Sequence, residues 1–134
     1  MKRDMDLIRE LLFKLEEREG ALIRHFKEIQ IEGKDPEIMR NHVALMFDAG
    51  LVVRHHAMMK KGSDGRVEGV ERPIAAYRLS NNGHDYLDSI RNPDVWSKTK
   101  KSAEAAGGFT LDLLKDLAKG FIKTKIEEQR GVKL

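Results

Sequence analysis

Cysteine is absent from the 134-residue sequence. That excludes a disulfide framework, a cysteine-based zinc site and a thiol nucleophile. Aromatic residues are scarce at 6%, so a core has to be assembled mainly from Leu, Ile, Val, Met and Ala. No apolar run approaches the roughly 20 residues of a membrane span. The opening, Met1 to Glu10, mixes charges with apolar residues at helical spacing, which is not the pattern of a signal peptide. A cytoplasmic location without a membrane partner is therefore expected. The sequence also lacks a Gly-x-Ser-x-Gly elbow, a His-Glu-x-x-His spacing and a Gly-rich phosphate loop. The segment Gly62-Ser63-Asp64-Gly65 reads as a turn. Neither an enzyme nor a cofactor is expected, because catalysis needs convergent groups and nothing in the spacing gathers them.

What is present suits a small α+β protein, mostly helical. Apolar residues make up 40% and charged residues 35%, with a net charge of +3. The first fraction suffices for a core. The mild basic excess permits contact with phosphate without requiring it. Ile8, Leu11, Leu12 and Leu15, widened by Leu7 and Phe13, predict a helix from about Asp4 to Arg18. Gly20 is a plausible stop. Residues Ala21 to Gly33 are ambiguous between a short helix and a strand near Glu28 to Ile31. Asp35-Pro36 is a strong helix start, a capping carboxylate followed by a residue that needs no N–H there. In the helix that follows, Ile38, His42, Leu45, Met46 and Ala49 are read as the inward face, and Gly50 as its left-handed end.

Leu51 to Ala57 and Ile74 to Leu79 are predicted strands. Asp64-Gly65 between them signals an antiparallel hairpin with a long basic tip. Ser80 is expected to cap a helix to about Arg91, and Asn92-Pro93 to start another. Gly107-Gly108 should break that helix and Thr110 cap the last one, with a stripe of Leu114, Leu117, Ala118, Phe121, Ile122 and Ile126. Gly120 costs that helix about 1 kcal/mol relative to Ala, and the tail from Glu127 is expected to fray. The order of elements is that of a winged helix-turn-helix domain over residues 1–91 with a helical C-terminal extension over 92–134. The usual second short helix is missing, or is fused to the start of the Asp35–Ala49 helix.

Two segments carry a resemblance. Met39 to Val52, "MRNHVALMFDAGLV", resembles the recognition helix and following strand of winged-helix regulators. Tyr77 to Arg91, "YRLSNNGHDYLDSIR", resembles the strand and helix that close the wing in the same proteins. Nearly the full length resembles a family of bacterial and phage proteins known as domain of unknown function 2513. Its members open with "MKRDMDLIR" (Met1 to Arg9). They carry an "eAGLI"-like turn (Asp48 to Val52) and "LtwkGHeflDaIR" (Leu79 to Arg91). A Trp-Lys-Thr-Lys segment (Trp96 to Lys100) follows, then a Gly-rich break before a terminal helix. This chain departs in Ser80-Asn81-Asn82, where a Trp-Lys pair is usual, and in a longer wing. The resemblance implies the fold and a prokaryotic or phage setting, and assigns no activity.

On that frame the outward face of the Asp35–Ala49 helix, Glu37, Arg40, Asn41, Ala44 and Asp48, is the candidate DNA reader. Arg pairs with guanine and Asn with adenine in a major groove. Lys60, Lys61, Arg66 and Arg72 of the hairpin, with Arg54 near its base, are candidate phosphate contacts. Each of these sets reads equally as a solvated polar surface. Phe47 lies between the inward and outward faces, as core or as a contact with the C-terminal helices or another subunit. Of the histidines, His55 and His56 adjoin in a strand and point to opposite faces, so they do not share a metal. His42 and His84 read as hydrogen-bonded structural residues, and His25 completes the five histidines. No metal site is expected. Phe121 and Ile122 mark a possible interface in which the C-terminal helices pair two copies of the chain.

The expected function is a DNA-binding regulator of bacterial or phage origin, with double-stranded DNA as partner. The alternative is a protein-interaction module that engages a host protein, for which Phe47, Met58 and Met59 speak.

Overall fold

The computed structural model describes residues 1–18, 31–56 and 75–131. These form a mostly helical α+β structure of five helices and one two-stranded antiparallel sheet. By packing, the chain divides into two units, Met1–Gly83 and His84–Leu134. The expected strand near Glu28 to Ile31 falls largely outside the described residues. So do Gly20, His25, Met58, Met59, the Asp64-Gly65 turn, and the tip residues Lys60, Lys61, Arg66 and Arg72.

In the first unit, α1 (Met5–Arg18) lies against α2 (Pro36–Asp48) and β2 (Ala75–Leu79), and α2 lies against β1 (Val52–His56). Six α1 residues are buried: Met5, Leu7, Ile8, Leu11, Leu12 and Leu15. That arc is wider than a single stripe, as the added Leu7 predicts, whereas Phe13 stays half-buried with the Arg9 guanidinium 5.0 Å from its ring centroid. Burial lowers the Arg9 pKa from its ordinary value, and the nearby Asp6 carboxylate opposes that shift. Asp4 caps the helix, its Oδ1 accepting from Leu7 N–H at 3.1 Å.

α2 starts where the sequence places it. Asp35 Oδ1 accepts from Glu37 N–H at 2.8 Å, and Pro36 takes the first turn. The helix ends at Gly50, whose φ of 75° only glycine adopts at no cost. There Gly50 N–H donates to Phe47 O at 3.0 Å, and Leu51 N–H to Met46 O at 2.9 Å. The inward face needs correcting. Met39, His42, Val43 and Met46 are buried, while Ile38 is 41% exposed, Ala49 is exposed and Leu45 half-buried. The buried set has the i, i+3, i+4, i+7 spacing, rotated by about 60° from the expected stripe at ~100° per residue. His42 is fully buried and structural. Its Nε2 accepts from Asp4 N–H at 2.9 Å and its Nδ1 faces Ile38 O at 2.8 Å. Together these fix the neutral, Nδ1-protonated tautomer, and tie α2 to the start of α1.

The corner between α2 and β1 is closed by the segment after β2. Ser80 N–H donates to Leu51 O at 3.0 Å, and the Ser80 hydroxyl donates to Gly50 O and accepts from Gly83 N–H. A Cβ on Gly83 would lie 2.0 Å from Leu51 O, so the first turn of α3 (Asn81–Ile90) sits against this corner only because residue 83 has no side chain. β1 and β2 pair with Val52 opposite Leu79, Arg54 opposite Tyr77 and His56 opposite Ala75. Val52 and Leu79 are buried at the root of this ribbon.

The second unit contains the rest of α3 and a helical hairpin of α4 (Pro93–Ala105) and α5 (Leu111–Arg130). Asn92 caps α4, accepting from Asp94 N–H at 2.9 Å and Val95 N–H at 3.2 Å. Val95, Trp96, Thr99 and Ala103 give α4 its buried face. The break occurs at Gly107, φ 83°, and Thr110 caps α5 by accepting from Leu113 N–H at 3.1 Å. On α5 only Leu114 and Ala118 of the expected stripe are buried. Leu117, Phe121, Ile122 and Ile126 are half-exposed. The tail does not fray at Glu127. The helix continues to Arg130, where Gly131 with φ 63° closes it by donating to Glu127 O at 2.8 Å. No helix among the described residues is long and apolar enough to cross a membrane.

Candidate nucleic-acid interface

The candidate surface is the side of α2 turned away from Met39, His42, Val43 and Met46. Burial of that quartet fixes the rotation of the helix, and the opposite side follows from the period. Glu37, Arg40, Asn41, Ala44 and Asp48 are all exposed there. Arg40, Ala44 and Phe47 follow one another along one edge of this face, at helical spacings of four and three.

The ribbon begins directly after this helix, so its root is held beside the helix C-terminus by the Gly50–Leu51–Ser80 contacts described above. Arg54 and Tyr77, paired across the ribbon, both reach Phe47. The Arg54 guanidinium lies 5.6 Å from the Phe47 ring centroid. The Tyr77 ring meets Phe47 edge-on, at 6.4 Å between centroids and 71° between planes. An exposed cation–π pair contributes about 0.5–1 kcal/mol, and an edge-to-face aromatic pair a similar amount. These suffice to orient a surface ring.

The reading of Phe47 as core is therefore corrected: the side chain is 44% exposed. The buried arc of α2 passes through Val43 and Met46 and leaves Phe47 beyond its edge, in the last helical turn. Tyr77, which completes the cluster, was not among the sequence candidates. Arg78, its neighbour, is exposed and donates from Nη1 to Leu79 O at 3.1 Å. Phe121 and Ile122 lie in the second unit, on the half-exposed side of α5. Among the described residues, no group of three or more His, Asp or Glu side chains is placed to hold a metal ion.

A family model described as hypothetical protein (DUF2513) matches residues 2–109. A Haemophilus influenzae protein described as an uncharacterized protein is 32% identical over 126 residues, covering 91% of this chain and 96% of that protein. No solved structure matches.

Proposed function

The chain belongs to the family described as hypothetical protein (DUF2513), and we propose that it is a winged-helix protein that binds double-stranded DNA, acting as a regulator rather than an enzyme. The observation that carries this reading is the open outward face of α2 beside a two-stranded antiparallel ribbon. A capped, regular helix with one exposed side is the part that enters a major groove, and a neighbouring two-stranded ribbon can reach a groove or its phosphates. In this reading Arg40 pairs with guanine, Asn41 with adenine, and Lys60, Lys61, Arg66 and Arg72 hold phosphates. A bacterial setting accords with the Haemophilus influenzae relative.

A mobility-shift assay with mixed bacterial genomic fragments tests it. Binding should weaken steeply between low and high salt, because each phosphate contact releases counterion. Charge reversal of Lys60 and Lys61 should weaken binding and flatten that salt dependence. Binding indifferent to both would sink the proposal.

The half-exposed Leu117, Phe121, Ile122 and Ile126 on α5 favour a homodimer built through the C-terminal helices, which would present two copies of α2 to DNA. Light scattering should then give twice the chain mass, and a Phe121→Glu, Ile122→Glu variant should return the mass of one chain. The rival reading, a module that grips a host protein, is supported by the exposed Phe47. A stoichiometric protein recovered from bacterial lysate with no DNA would favour it.

A further inference from the structure

Phe47 lies exposed at one edge of a face whose outward residues Glu37, Arg40, Asn41, Ala44 and Asp48 are polar or small, with Ile38 exposed at the other edge. An aromatic side chain left 44% exposed forgoes much of its burial. It is nevertheless held, by the Arg54 guanidinium over its ring and by the Tyr77 ring in an edge-to-face pair. Ala44 precedes it by one helical turn and is exposed. The two together make a small apolar patch. Arg40 flanks the patch on the helix and Arg54 flanks it on the ribbon. An apolar contact set between two guanidinium groups fits a polyanion that offers its own apolar group. In the major groove that group is the C5-methyl of thymine, which Ala and Phe side chains contact.

We infer that Ala44 and Phe47 form a thymine-methyl contact, and that Arg54 and Tyr77 are positioning residues that aim the Phe47 ring. This rests on the DNA-binding reading above. Arg40 and Phe47 are seven residues apart, about 10 Å along the helix axis. Both therefore lie on one edge of a single helix in the groove, and the preferred site carries a guanine and a thymine within a few base pairs of each other.

The test compares bacterial genomic fragments amplified with dTTP against the same fragments amplified with dUTP, which lack only the methyl group. Burial of one methyl corresponds to about fourfold in affinity. The full-length protein should bind the thymine duplexes about fourfold more tightly than the uracil duplexes. Phe47→Ala should bind both equally, and Arg54→Ala should narrow the difference while keeping a native circular dichroism spectrum. Equal binding of thymine and uracil duplexes by the unmodified protein overturns the methyl contact and leaves DNA binding standing. A preference that survives Phe47→Ala also overturns the assignment. Failure to bind either duplex overturns both readings, and a host protein captured through Phe47 would then replace them.

Discussion

At the scale of single residues, two glycines in helices have opposite roles. A Cβ at Gly83 would sit 2.0 Å from the Leu51 carbonyl oxygen, a backbone atom that cannot swing aside. Gly83→Ala should therefore destabilise the fold by about 1–3 kcal/mol or more, read as a lowered denaturation midpoint. Gly120, in the middle of α5, has nothing within 4 Å of a Cβ and no positive φ. Gly120→Ala should stabilise by up to about 1 kcal/mol in the same experiment. His42 marks a third residue-scale effect. Replacing it with Ala would leave Asp4 N–H without its acceptor and open a cavity between α1 and α2. A loss of about 2–4 kcal/mol is expected in chemical denaturation. The role of His42 was legible as structural. Its partners were not, since Asp4 lies 38 positions away in sequence.

At the scale of elements, what the sequence revealed were the ends. Asp35-Pro36, Ser80, Asn92-Pro93 and Thr110 all cap helices as expected, because a capping side chain acts on N–H groups two or three residues away. Asp35→Ala and Asn92→Ala should each cost about 1 kcal/mol, measurable as shifts in urea midpoint at constant slope. The rotation of α2 was harder to read. Ile38 and Leu45 are the more apolar choices, yet Met39 and Val43 face inward. Several apolar residues spread around a short helix leave its phase to tertiary packing. Tyr77 was missed for a related reason. Asp64-Gly65 signals the hairpin without setting its register, which pairs Arg54 with Tyr77, and the alternation of side chains is the same for any shift of two residues. The end of α5 lies at the left-handed Gly131 cap, beyond a run of charges that carries no apolar periodicity to mark it.

At the scale of the whole molecule, three features of this chain converge on one surface: the rotation of α2 set by its buried quartet, the ribbon root clamped at Leu51, and the Phe47 ring held between Arg54 and Tyr77. In the proposed reading this surface is where the molecule meets DNA. Titrating the isotopically labelled protein with a duplex while following its backbone amide resonances tests that most directly. The account predicts that the resonances that move belong chiefly to residues 37–48, to the strands at 52–56 and 75–79 and to the basic segment 60–72 between them, and that added salt reverses the shifts. Shifts confined to other segments, or none at saturating duplex and low salt, would contradict it.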